Sequence, residues 1–371
     1  MLLLIPGPVA TSEEVRDAMR IDLAPWDNDF RDFYARLSER LRHIAGGREG
    51  EHATLPLQGC VHFITEAAIR TFLPPGGRLL IPMTGAYAER MERLAGDAGR
   101  IAVPLAIAPD RPADPAAIAA ALAADPTITH VGAVYSETGT GVAHDAPAIG
   151  AAVRRAGRRM IVDAVSAFGA LPFDLAAQPE TDAILLTSNK CLEGLPGMGF
   201  AVARIDRLRD ATGQAGSWSF DLADLYAHMH RYGPGSARFT PPAQVLNALS
   251  VALDLFEAEG GQPRRLARYQ ANMRTLYEGV RRLGLVPYLP PDAQGPIIVN
   301  VHAPADPAWN LQAFVDALKR RGFLISNFYN TDRPSFRVGC IGAITPEHMR
   351  HAVAAMGESL AELGIVRRAA A

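Results

Sequence analysis

The sequence predicts an α/β fold: a large domain with a mostly parallel sheet covered by helices, and a smaller C-terminal α/β domain. Three observations predict it. Short apolar runs alternate with helical stretches along the chain. The runs are apolar at consecutive positions, as strands buried on both faces require. Gly260-Gly261 interrupts the pattern, which then resumes on a smaller scale. At 371 residues and 49% hydrophobic content, the chain is long enough for two linked domains.

Met1-Leu2-Leu3-Leu4-Ile5 is apolar and runs straight into Pro6-Gly7-Pro8. That predicts a buried strand or extended arm over residues 1–15, since it lacks the basic start and the length of a signal peptide. Ser12 followed by Glu13 and Glu14 predicts a helix start, with a capping hydroxyl and acids at the positive end of the helix dipole. Phe33, Leu37, Leu41 and Ile44 recur at three-to-four spacing and predict a helix over 30–44, ended by Gly46-Gly47. The large domain, 16–260, then reads as strands at 79–81, 131–135, 160–162, 183–186 and 199–202. Ala-rich helices near 116–124 and 148–156 lie between them, and a helix near 244–258 closes the domain. The small domain, 261–371, reads as a helix over 263–283, a strand at 297–299 and a helix over 311–320. Strands at 323–325 and 336–338 and a last helix from Pro346 complete it.

Lys plus Arg number 37 against 39 Asp plus Glu, a net charge of -2. No basic stripe points to nucleic acid or an anionic membrane, so the expected partner is a small molecule. Cys60, Cys191 and Cys340 form no CxxC pair. They suggest neither a zinc site nor a disulfide framework, and a reducing, cytoplasmic setting is expected. No apolar run approaches a membrane span.

Three stretches can carry chemistry. In Met160-Ile161-Val162-Asp163-Ala164 an apolar strand ends in an acid. Ligands of open α/β sheets sit at the carboxyl ends of strands, and an acid there can pair with a pyridinium nitrogen; an N-cap aspartate would look the same. Leu185-Leu186-Thr187-Ser188-Asn189-Lys190 carries a lone lysine just past another strand, 27 residues after Asp163. Partly desolvated, such a lysine is readied for imine formation, although a loop lysine can also be merely solvated. Gln58-Gly59-Cys60-Val61-His62 opens an apparent helix, whose first N–H groups can hold a phosphate or simply start a helix. In this order the three suit a cofactor that has both a ring and a phosphate. One βα unit between Asp163 and Lys190 would put both on one sheet edge.

With these motifs the sequence resembles the class V aminotransferases over nearly its whole length. The resemblance runs through Pro6-Gly7-Pro8, Trp26-Asp27-Asn28-Asp29, Leu57-Gln58-Gly59, Gly85-Ala86-Tyr87 and Ser136-Glu137-Thr138. It continues through Ile161-Val162-Asp163-Ala164, Ser188-Asn189-Lys190-Cys191, Arg238-Phe239-Thr240 and Phe336-Arg337-Val338-Gly339. It implies the fold-type I class of pyridoxal 5′-phosphate (PLP) transferases, with Lys190 holding the cofactor as a Schiff base and Asp163 pairing with its pyridine nitrogen. It also implies ring stacking by Tyr87 and contacts to the cofactor from Thr138 and Asn189. Gly59, Cys60, Val61 and His62 would form the phosphate loop. Thr240 would reach the phosphate of a neighbouring subunit, hence a homodimer. Arg337, with Pro8 nearby, would bind the donor's acidic group, as a planar guanidinium can clamp a carboxylate or phosphonate.

Two departures stand out. The family usually carries Gly-Ser-Gly-Ser/Thr where this chain has Gly59-Cys60-Val61-His62, and a thiol is the weaker donor. Ile325-Ser326-Asn327-Phe328 replaces a Tyr-Pro-Gly stretch. Trp26-Asp27-Asn28-Asp29 and Ser136-Glu137-Thr138 tilt the resemblance to the branch that moves an amino group from 2-aminoethylphosphonate to pyruvate. His62 tilts it toward the alanine– and serine–glyoxylate branch. A PLP lyase, a desulfurase using Cys340, or a catalytically altered PLP-binding homologue are the more distant expectations. Arg90 and Arg20 are candidate second cations for a phosphonate.

Overall fold

The computed structural model describes residues 1–329, 331–367 and 369. Its strands are β1 (Leu2–Leu3), β2 (His52–Gln58), β3 (Arg78–Met83), β4 (Ile101–Ala106), β5 (His130–Val134) and β6 (Arg159–Asp163). They continue with β7 (Thr181–Thr187), β8 (Met198–Arg204), β9 (Ile298–His302), β10 (Phe323–Leu324) and β11 (Ser335–Gly339). Seven of them form one sheet in the order β2-β8-β7-β6-β5-β3-β4. The β4–β3, β3–β5, β5–β6 and β6–β7 pairs are parallel, while β8 runs antiparallel to both β7 and β2. Two reversals leave β2 pointing the same way as β7. The carboxyl ends of β2, β3, β5, β6 and β7 therefore meet at one edge.

The consecutive apolar positions of the central strands follow from cover on both faces. In β7, Ile184 and Leu186 enter one core with Leu37, Leu41 and Leu249. Ala183 and Leu185 enter the other with Ile64, Ala67 and Met91. Because side chains alternate sides along a strand, a strand with a core on each side has no polar face. The helix Asn28–Ile44 packs on the first side, capped by Asp27, whose carboxylate accepts the Asp29 N–H at 3.2 Å.

Strands β2 and β4 were missed in the sequence, and both are edge strands. Each carries a proline, Pro56 and Pro104, which cannot donate to a ladder and reads as non-strand. A second correction concerns the expected βα unit between Asp163 and Lys190. No α-helix lies there; Leu175–Ala177 forms a short 3-10 turn. The two residues share an edge all the same, because β6 and β7 are adjacent and parallel.

A separate core gathers around the antiparallel pair β9–β11 and the helices Gly261–Arg282, Leu311–Arg320 and Pro346–Glu362. The N-terminal arm joins it. β1 pairs in parallel with β10, and Leu4 C=O accepts the Gly339 N–H at 2.7 Å. Next to Lys190 the chain is pinned by a buried charge network. Glu193 has φ 61°, the one non-glycine residue at positive φ among the described residues. Its carboxylate accepts from Arg268 at 2.8 Å and from the Tyr269 hydroxyl at 2.6 Å. Arg265, 1% exposed, pairs with Glu259 at 2.7 Å and donates to Cys191 C=O. Breaking such a network from one side leaves buried acids uncompensated. Arg265→Leu is expected to cost about 3 kcal/mol of stability, read as a lower denaturant midpoint; an unchanged midpoint would show that the network holds nothing.

Candidate active site

The site assembles where the strands end. Asp163 is the last residue of β6, and Lys190 lies three residues beyond β7. Both are buried. Lys190 Nζ lies 3.4 Å from Ser166 Oγ and 6.0 Å from the Tyr87 ring centroid. The Val165 N–H donates to Asp163 Oδ1 at 3.1 Å. Burial pushes the Asp163 carboxyl above the usual carboxylate range, against the pull of that N–H and of the Lys190 and Arg90 charges.

Tyr87 follows β3 through Gly85 and opens the helix Ala86–Asp97. Burial alone would raise its phenol, yet the Lys190 charge, the neighbouring Thr138 and the charges of Arg337 and Arg90 hold it below the usual value. The Thr138 hydroxyl, although beside Tyr87, is buried and makes no hydrogen bond of normal geometry. Arg90 lies one helical turn on, its guanidinium carbon 5.0 Å from the Tyr87 ring centroid, and it is exposed.

Arg337 reaches the same edge from β11, although that strand belongs to the other core. It is 6% exposed. Nη1 donates to Thr138 C=O at 2.9 Å and Nε to Ser326 Oγ at 3.3 Å, and the guanidinium carbon sits 4.7 Å from the Phe328 ring centroid. No Asp or Glu lies within salt-bridge distance of it among the described residues, and burial pulls its affinity for the proton below the usual arginine value. The divergent stretch Ser326-Asn327-Phe328 thus touches Arg337 directly.

Gly59, Cys60, Val61 and His62 lie at the end of β2, where the helix Val61–Phe72 begins. Gly59 has φ 120°, and Cys60 gives the helix no side-chain cap. Asn189 accepts a hydrogen bond from Thr187 Oγ1 at 2.7 Å, so its side chain is held toward the strand. Thr240 is exposed and stands apart from Lys190 in sequence and burial. Pro8 is exposed, but its neighbour Gly7 packs against Lys190. A Cβ on Gly7 would lie 2.7 Å from Lys190 Cε and 3.2 Å from Nζ.

Four residues at this edge had no assigned role in the sequence: Gly7, Ser166, Phe328 and Glu137. Only Glu137 left a signal, a lone acid just past an apolar strand. Cys340 is fully buried just beyond β11, so it is not the mobile reactive thiol that a desulfurase needs.

The "Aminotransferase class-V" family model matches residues 50–325, and the chain belongs to that family. It is 45% identical over 98% of its length to a 2-aminoethylphosphonate–pyruvate transaminase of Burkholderia ambifaria, covering 96% of that protein. The namesake from Burkholderia pseudomallei is 46% identical over 99% of this chain and 98% of its own. Pyridoxamine–pyruvate aminotransferase from Mesorhizobium loti superposes with a TM-score of 0.89 at 25% identity, over 98% of this chain and 93% of that one. The architecture is that of fold-type I PLP transferases, and the protein is an aminotransferase.

Gly7→Ala tests the contact of the arm with Lys190. A methyl group there must push the lysine or the arm aside, and small misplacements of reacting groups are costly. Transaminase turnover is expected to fall on the order of a hundredfold, with the melting temperature little changed. Full turnover would show that Lys190 does not need the position it occupies here.

Proposed function

We propose that the protein holds pyridoxal 5′-phosphate on Lys190 and moves the amino group of 2-aminoethylphosphonate to pyruvate, giving phosphonoacetaldehyde and alanine. The observation that carries the donor class is Arg337, a buried guanidinium bonded only to neutral acceptors. A cation taken out of water and left without an acid is costly unless a ligand anion completes it. The names of the relatives support the phosphonate as that anion.

The residues fit the cofactor. Asp163 is a buried acid whose raised proton affinity a cationic ring nitrogen would relieve. The Thr138 hydroxyl, buried beside Tyr87 without a hydrogen bond of normal geometry, can offer one to the cofactor. The first N–H groups of the helix Val61–Phe72, uncapped by Cys60, offer a seat for a phosphate, with His62 beside them. When bound, the cofactor supplies an electron sink for the pair released as the donor's C–H bond next to nitrogen breaks.

The side chains do the rest. With the cofactor bound, Asp163 would keep the ring nitrogen protonated and Tyr87 would support the ring face. Lys190 Nζ, freed when the donor's amine takes its place, would take the proton from the donor carbon and hand it back. Arg337 fixes the donor's anionic end and so the bond that is presented to Lys190. We read residues 1–15 as an arm, 16–260 as the large domain and 261–371 as the small one. We also infer a homodimer in which Thr240 serves the neighbouring site. Support comes from the exposed Trp218 and Phe239, packed edge to face at 5.2 Å, with Phe239 next to Thr240 in the chain. A sedimentation mass of one chain would remove that part of the reading.

Adding 2-aminoethylphosphonate, L-alanine or L-serine to the purified protein without an acceptor tests the whole. Conversion of the cofactor absorbance band at low phosphonate concentration is expected. Conversion by alanine or serine alone would assign the glyoxylate-type activity instead. Lys190→Ala is expected to lose the lysine-linked band and nearly all turnover; retained turnover would overturn its role. Arg337→Ala is expected to keep the band while raising the donor's half-saturating concentration about a hundredfold.

A further inference from the structure

We propose that Glu137 is a positioning residue that sets the Arg337 guanidinium for the donor's anionic group, acting through the Thr138–Gly139 peptide. The inference rests on the reading of Arg337 as the donor's clamp.

Glu137 is fully buried, three residues beyond Val134, the last residue of β5. Its backbone is fixed, with N–H donating to Val142 C=O at 2.9 Å and C=O accepting the Gly141 N–H at 2.8 Å. Its carboxylate Oε1 accepts the Gly139 N–H at 2.8 Å. That N–H and the Thr138 C=O belong to one peptide unit. The Thr138 C=O in turn accepts Arg337 Nη1 at 2.9 Å. An anion and a cation therefore polarise the same peptide group from opposite ends. Both hydrogen bonds are charge-assisted, and in a buried chain each strengthens the other.

The intervening peptide is what makes the arrangement useful. Glu137 and Arg337 form no direct salt bridge. A direct bridge would occupy the fork that the donor must use. With the peptide between them, Glu137 stabilises the charge of Arg337 and its orientation through Nη1. Nη2 makes no hydrogen bond and stays open to an incoming anion.

Glu137 is itself held in one pose. Oε2 accepts the Tyr87 N–H at 3.4 Å. Across from it, a Cβ on Gly85 would lie 2.8 Å from the Glu137 carboxyl carbon, so only glycine lets the turn before Tyr87 close on the acid. One carboxylate thus ties the Tyr87 turn to the loop that carries Thr138. Burial, helped by the charge of Asp163, raises the Glu137 acid to about 7 against the pull of the two N–H groups and of Arg337. The other titratable or charged groups facing this cluster are Tyr87, Lys190 and Arg90.

Glu137→Gln keeps the shape and one acceptor but removes the charge. In the cofactor-loaded enzyme, half-reactions with L-alanine and with 2-aminoethylphosphonate would be followed by the cofactor band. The half-saturating concentration of both donors is expected to rise about tenfold, with the limiting rate and melting temperature nearly unchanged. In an Arg337→Ala background the same substitution is expected to do nothing further, because the relay ends there. A loss of limiting rate at unchanged half-saturation would overturn the proposal, as would equal effects in both backgrounds. If Arg337→Ala leaves both donors' half-saturation unchanged, the clamp itself is wrong. A large effect there with none in Glu137→Gln removes only the relay. Should Glu137→Gln fail to fold, L-alanine with the unsubstituted enzyme decides, since a free amino acid keeps its carboxylate ionised and its ammonium protonated around neutral pH. Its half-saturation is expected to rise as pH falls through about 7, and to lose that rise in Arg337→Ala. A rise that persists in Arg337→Ala, or none in either, would overturn the proposal.

Discussion

The site depends on one directional constraint: five strand ends meet at a single edge of one sheet. β3, β5, β6 and β7 run parallel, and β2 regains their direction through two antiparallel pairings with β8. Each strand then delivers its next residues to the same side. β2 brings Gly59 and the helix start, β3 brings Tyr87, β5 brings Glu137 and Thr138, β6 ends on Asp163, and β7 leads to Lys190. Residues far apart in sequence become neighbours because a parallel sheet has one carboxyl edge.

The second core completes this edge. Arg337 sits mid-strand in β11, paired with Asn300 of β9, and crosses to the Thr138 carbonyl. Asn300 makes a parallel crossing, its Nδ2 donating to Gly139 C=O at 3.2 Å. The N-terminal arm crosses as well, tied to β10 and β11 at one end and lying over Lys190 at Gly7. The two cores therefore meet through hydrogen bonds to the same loop. A movement of one against the other would be felt at Arg337, Thr138 and Lys190 together.

Burial sets the electrostatics. Asp163, Glu137, Lys190 and Arg337 lie together in a region from which water is largely excluded, and no two of them form a direct ion pair. Desolvation raises the two acids and depresses the arginine. Around Glu193 the same ingredients behave differently. There Arg265 and Arg268 meet Glu193 and Glu259 directly and the charges are spent on holding the chain. The contrast separates charges left without a direct ionic partner from charges closed on each other.

Much of this was legible in the sequence. The apolar runs gave β3, β5, β6, β7 and β8 because burial on both faces leaves a continuous apolar signal. The helix Asn28–Ile44 showed its period, and the resemblance carried by Asp163, Lys190 and Arg337 led to the family. The edge strands β2 and β4 escaped because their prolines and half-exposed positions erase that signal. The sequence by itself determined which residues are apolar, which can cap, and which few polar groups end apolar strands, since these are local properties of the chain. Only the tertiary structure decided that Gly7 lies on Lys190, that Arg337 has no acid in direct contact, and that Glu137 and Arg337 share one peptide. Those facts arise from contacts between segments as many as 199 residues apart, and no local pattern encodes which distant backbone group a side chain will meet.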